Sequence, residues 1–191
     1  KKKWINEGYS GYRRLISNTN IDRFPGLLLD PSACNKMYKA SFIEENKLRF
    51  PENTYCEDVG FIYRAYLVAQ NIMILPEILH RYRARSRKAV RSGTQTFDEV
   101  RLAQCAEIYS ACLDQYQASG TQANSELLQA RAVVRMKRFF NKIPAYPDAN
   151  SFLYPALQTF LDGIDPRILV EHADRFAIPF LIIRQGFFFH A

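Results

Sequence analysis

The stretch from 98 to 142 constrains this chain more than any other. Leu102, Cys105, Ala106, Tyr109, Cys112 and Leu113 recur every three or four residues, which places them on one face of a helix. Ser119-Gly120 breaks that pattern. A second one begins at Asn124 or Ser125 and carries Leu127, Leu128, Val133, Val134, Met136 and Phe140 to about residue 142. Thr96 is the expected cap of the first helix. Asp98 and Glu99 fall in its first turn, where acids suit the positive end of the dipole. Pro144, Pro147 and Asp148 form a loop, and helical patterns return at 150–162 and 166–175. Successive amphipathic helices must bury their stripes against one another, so residues 96–191 read as an all-helical region. Its apolar tail, Ile178 to His190, reads as a buried helix or strand closing that region, or as a segment lying in a lipid interface.

Residues 1–95 have a different, mixed character. Trp4, Ile5, Tyr9, Tyr12, Leu15 and Ile16 share a helical face. Pro25-Gly26 is a turn, Leu27-Leu28-Leu29 a short buried strand and Asp30-Pro31-Ser32 a loop. Ala40 to Asn46 reads as a short helix. Leu48-Arg49-Phe50-Pro51 is extended, because a residue before proline avoids the α region. Glu57-Asp58 opens a helix through Val59, Ile62, Ala65, Tyr66 and Ala69. Ile72 to Leu75 is expected to be a buried strand, and Ile78 to Arg83 a second strand.

No apolar stretch reaches the roughly 20 residues of a membrane span. The longest, Phe176 to Phe189, is interrupted by Pro179, Arg184 and Gly186. The opening lysines precede no apolar run, so the start does not read as a signal peptide. The four cysteines show no Cys-x-x-Cys spacing and read as reduced thiols of a cytosolic protein, with Cys105 and Cys112 in the core. His80, His172 and His190 are too scattered for a structural zinc site. Lysine and arginine outnumber the acids 26 to 19, giving a net charge of +7 and favouring an anionic partner.

Three clusters could carry chemistry. The strip from His80 to Arg91 holds Arg81, Arg83, Arg85, Arg87, Lys88 and Arg91 with no acid. It reads as a solvated basic edge strand, a site for phosphate or pyrophosphate, or a nucleic-acid contact. Glu57-Asp58 either caps its helix or aims a carboxylate at a bound hydroxyl, with the dipole favouring the ionised form. Asn35-Lys36 lies between a polar loop and an apolar helix, where the lysine is either a surface residue or a bridge to a carboxylate or phosphate.

The joint order of these segments adds to the reading. Asn35-Lys36-Met37-Tyr38-Lys39-Ala40-Ser41-Phe42 resembles the Asn-Lys-Leu-Tyr-Arg-Arg-Ser-Phe segment of family 2 glycosyltransferases. Leu48-Arg49-Phe50-Pro51-Glu52 is similar to that family's Ile-Arg-Phe-Pro-Glu, and Tyr55-Cys56-Glu57-Asp58 to its Tyr-Tyr-Glu-Asp. Ile74-Leu75-Pro76-Glu77 looks like Ile-Pro-Glu-Pro, and His80-Arg81-Tyr82-Arg83 like Tyr-Tyr-Tyr-Arg. The resemblance spans roughly 20–92. Cys56 departs from the family's aromatic, and His80 and Arg81 stand where tyrosines are common.

The resemblance implies an α/β fold: the acceptor half of an A-type, Rossmann-like glycosyltransferase over 1–95, incomplete at its start, followed by a helical extension over 96–191. It implies inverting transfer of a sugar from a nucleotide-sugar donor to a hydroxyl of a glycan or polyol-phosphate acceptor, in bacterial surface-polysaccharide or teichoic-type synthesis. The expected location is cytoplasmic, at the inner face of the membrane, with peripheral contact. Asp58 is implied as base, with Glu57 orienting it or the acceptor. His80, Tyr82, Arg83 and Arg85 would face the donor diphosphate, and Asn35 and Lys36 would shape the pocket floor. The family holds magnesium or manganese through an Asp-x-Asp motif in the nucleotide half. This chain has no such motif, so the isolated chain is expected to be inactive. The alternative is a basic nucleic-acid- or phosphate-binding module without catalysis, although no nucleic-acid-binding motif is evident.

Overall fold

A computed structural model describes residues 3–6, 15–84, 98–141 and 151–186. In chain order the elements are β1 (Lys3–Asn6), β2 (Ile16–Thr19), a 3₁₀ helix (Pro25–Leu29), α1 (Ala40–Glu45), α2 (Glu57–Val68), β3 (Ile72–Ile74), β4 (Arg81–Ala84), α3 (Glu99–Ser119), α4 (Gln122–Phe140), α5 (Leu153–Asp162), α6 (Pro166–His172), a second 3₁₀ helix (Asp174–Phe176) and α7 (Ala177–Arg184). The strands form two separate antiparallel pairs, β1 with β4 and β2 with β3. In the first, Trp4 is opposite Arg83 and Asn6 opposite Arg81.

The helical half follows its apolar pattern. The expected face of α3, from Leu102 to Leu113, is buried throughout. Asp98 caps this helix, its carboxylate accepting from the Arg101 backbone N–H at 2.9 Å. Thr96 lies outside the described residues. Thr121 caps α4, three residues ahead of the expected start, through an N–H from Asn124 at 3.3 Å. α5 packs on α3 and α7, and α6 on α4. The described part of the tail is a helix with Phe180 and Ile183 buried, so the core claims that face. No helix among the described residues is long and apolar enough to cross a membrane.

One contiguous core joins α2 to this helical region. Its spine is aromatic: Tyr63 of α2 packs on Tyr109 and Tyr116 of α3 at 6.3 and 6.2 Å, and Tyr109 on Phe160 of α5 at 6.4 Å. Buried phenols need partners. The Tyr116 hydroxyl donates to the Tyr63 carbonyl (2.9 Å), and the Tyr63 hydroxyl to the Leu28 carbonyl (3.0 Å). Those two bonds tie α3 to α2, and α2 to the first 3₁₀ helix. Gly60 allows the close approach of the loop ahead of α2, since a Cβ there would lie 3.1 Å from Pro51 Cγ.

The mixed region departs from several expectations. Residues 3–6 and 16–19 are strands, where helical periodicity predicts one helix, and 7–14 lie outside the described residues. Pairing with β4 and β3 overrides the local pattern. Leu27-Leu28-Leu29 is 3₁₀ rather than strand, because Pro25 at the first helical position presets φ. β3 is only half-buried, with Met73 exposed, because β2 is its sole partner among the described residues. The second strand covers Arg81–Ala84 rather than Ile78–Arg83. The boundary near residue 95 also falls outside the described residues.

Candidate functional site

Two clusters hold the described part of the expected site. The first is built on the loop that follows the 3₁₀ helix. Asp30 Oδ1 accepts from the Ser32 backbone N–H at 3.2 Å, a turn that aspartate makes readily. Its Oδ2 accepts from Asn35 Nδ2 at 2.6 Å and from Lys36 Nζ at 3.4 Å. Lys36 Nζ also donates to the Ser32 carbonyl (2.6 Å) and to Asn35 Oδ1 (2.8 Å), and lies 5.8 Å from the centre of the Tyr66 ring. The lysine and aspartate side chains are only 13% and 24% exposed, so Lys36 is not a solvated surface cation. It organises the loop.

His80 closes this cluster. Its Nδ1 lies 3.0 Å from the Cys34 carbonyl. A carbonyl only accepts, so Nδ1 carries the proton. The structure therefore brings Asn35, Lys36 and His80 together. Tyr82 and Arg83 follow directly in β4, by backbone register, and Arg85 lies outside the described residues. Asp30 is the member that sequence reasoning missed. The only signal was an acid six positions before a lysine across a proline turn.

This cluster makes a prediction of its own. Lys36→Met leaves the Asp30 carboxylate and two carbonyl-type acceptors without their cation. Unfolding in urea is expected to show a loss of about 1–3 kcal/mol at unchanged m-value. A loss below about 0.5 kcal/mol would make Lys36 an ordinary surface residue.

The second cluster surrounds the start of α2. Asn53 and Cys56 both adopt left-handed backbone, with φ of 54° and 66°, which is uncommon for residues other than glycine. Two ties hold that geometry. Gln104 of α3 accepts from the Tyr55 N–H (3.0 Å) and donates to the Asn53 carbonyl (3.4 Å). Cys56 is disulfide-bonded to Cys105 of α3. Four reduced thiols are thus not what the structure shows: Cys34 is free and exposed, and Cys112 free and buried. Burial pushes the Cys112 thiol up to about 12.

Glu57 is exposed and Asp58 half-buried in the first turn of α2. The helix start was expected to favour the ionised form of Asp58. Burial and the neighbouring Glu57 charge outweigh it: they raise the Asp58 pKa, against the lowering influence of the Val59 and Asp58 backbone N–H groups and of Arg135 on α4. A carboxylate raised in this way holds a proton more readily, which suits a group that must accept one. Asp58 lies in the field of the α4 arginine, whereas Lys36 is bound into the Asp30 loop.

Among the described residues no three histidine, cysteine, aspartate or glutamate side chains gather in a way that could hold a metal ion. The resemblance places the divalent metal on an Asp-x-Asp motif, which this sequence does not contain. No family model, curated protein or solved structure matches this chain.

Proposed function

We propose that this chain is the acceptor-side part of an inverting glycosyltransferase, with Asp58 as the general base. The observation that carries the reading is Asp58 itself: a half-buried carboxylate with a raised pKa, fixed at a helix start by a loop in left-handed backbone and standing within the ordered segments that resemble the family. The donor is a nucleotide sugar and the acceptor a hydroxyl of a glycan or polyol phosphate. Any magnesium or manganese would be held outside this chain. The proposed setting is bacterial surface-polymer synthesis at the cytoplasmic face of the membrane.

In this mechanism Asp58 takes the proton of the attacking acceptor hydroxyl, and Glu57 helps to orient it. In this reading His80, Tyr82, Arg83 and Arg85 would serve the leaving diphosphate, whose growing charge cations stabilise. Lys36 and Asn35 keep the loop that carries the Cys34 carbonyl, and with it His80, in place. Apolar side chains are exposed on both sides of this cluster, with Met37 at 86% and Leu79 at 71%. That is consistent with a surface covered by another part of the enzyme.

Arg83→Ala in the intact enzyme is expected to weaken nucleotide-sugar affinity at least fivefold while acceptor affinity stays within twofold. Titration calorimetry with each substrate measures both, and equal losses would give Arg83 a structural role. The reading as a whole is tested by divalent-metal-dependent release of nucleoside diphosphate by the intact enzyme, measured with and without acceptor. The net charge of +7 favours the second reading, a phosphate- or nucleic-acid-binding module without catalysis. It predicts steeply salt-dependent nucleic-acid binding and no diphosphate release.

A further inference from the structure

The phenols of Tyr63 and Tyr116 find acceptors in the core, but the Tyr109 hydroxyl does not. It is fully buried, with no hydrogen-bond partner among the described residues. The buried Nε atoms of Arg131 and Arg135 share that condition. These two arginines stand four residues apart on α4, so their side chains rise from one face about 5–6 Å apart at Cβ. Both act on the Tyr109 hydroxyl electrostatically, and Arg135 acts also on Asp58. The Arg135 guanidinium lies 5.0 Å from the centre of the Phe139 ring, which fixes its direction along the helix. No carboxylate among the described residues pairs with either arginine. Asp58 lies in the field of Arg135 without forming an ion pair with it.

We infer that Arg131, Arg135 and the Tyr109 hydroxyl form a binding site for a phosphate-type oxyanion beside Asp58. Two half-buried guanidinium groups that no carboxylate among the described residues pairs with are costly, and a bound anion reduces that cost. The number of donors selects the anion. Two guanidinium forks and a phenol offer more donors than the two oxygens of one carboxylate can use. A phosphate has more acceptor oxygens and suits paired forks. The site stands without the transferase reading. If Asp58 is the base, the site deepens that reading by selecting an acceptor that carries a phosphate near its reacting hydroxyl.

Inorganic phosphate and glycerol 3-phosphate, each compared with chloride at equal ionic strength, are the probes. Titration calorimetry on the full chain is expected to detect one site. Arg131→Gln and Arg135→Gln should each weaken it about tenfold or more, and Tyr109→Phe two- to fivefold without lowering the phosphate-free melting temperature. Arg135→Lys keeps the charge, loses the fork and should lie between wild type and Arg135→Gln. It serves if the glutamine variants do not fold. No phosphate-specific heat in the wild type would overturn the inference. So would binding that survives in Arg131→Gln/Arg135→Gln, or that is as tight in Arg135→Lys as in the wild type, because the anion would then sit elsewhere. Glycerol 3-phosphate binding as tightly as inorganic phosphate supports an organic phosphate as the ligand. Binding of inorganic phosphate alone overturns the acceptor assignment while leaving the transferase reading to its own assay.

Discussion

Asp58→Asn is expected to lower sugar transfer by the intact enzyme about 10²–10⁴-fold, the range that a general base supplies. The variant keeps the shape of the side chain and removes the atom that accepts the proton. Its fold should survive, and the pH dependence says why. The folded-state pKa of Asp58 lies above the ordinary 3.8. The folded chain therefore holds this proton more tightly than the unfolded chain does. As pH rises from 3.8 through the folded-state value, this residue makes folding less favourable, and above that value the whole cost of the buried charge is present. Asparagine does not titrate, so at neutral pH the variant should melt no lower than wild type. The wild-type acidic limb of kcat/KM should correspondingly lie above the ordinary aspartate value. Unchanged transfer by the variant would remove Asp58 from the mechanism. Lost transfer with a collapsed melting curve would reassign it to structure.

Reducing the Cys56–Cys105 bond is the second large expected effect. The two residues are separated by 49 positions, and closing a loop of that size contributes about 4 kcal/mol by restricting the unfolded chain. Chemical denaturation with and without a dithiol reductant should show that difference. Alkylation of the denatured, unreduced protein should label Cys34 and Cys112 alone. Labelling of all four cysteines would contradict the bond. The same count bears on the proposed cytoplasmic location, since disulfides rarely persist in reducing compartments. The bond also bears on the candidate site. Cys56 is the left-handed residue immediately before Glu57, so reduction should loosen the turn that aims Asp58 and lower turnover.

The helices were the legible part of this fold. The stripe on α3 and its stop at Gly120 are local signals, each carried by residues within a turn or two of one another. The strands were not legible in the same way. β1 pairs with β4 from the far end of the mixed region, and nothing near Trp4 announces that partner. Leu27-Leu28-Leu29 read as a strand because three apolar residues in a row carry no period, and the 3₁₀ turn that forms instead begins at Pro25.

The candidate site divides along the same line. Asp58 at a helix start was readable from Glu57-Asp58 and the apolar periodicity behind it. The burial that shifts its pKa depends on tertiary packing. Lys36 looked like a surface lysine because its acid, Asp30, lies beyond a proline turn. The disulfide was hidden because four cysteines without motif spacing do not specify a partner. Arg131 and Arg135 carry no motif that marks them in the sequence, and only the packing of α4 on α3 relates them to Tyr109.

The coding sequence immediately upstream of the Lys1 codon tests the central claim most directly. The account predicts an open frame of roughly a hundred codons or more, encoding alternating strands and helices and an Asp-x-Asp motif. A start codon at or just before Lys1 would contradict it. Asp58 would then have no donor site to serve and would fall back to a helix-start carboxylate beside an anion-binding arginine pair.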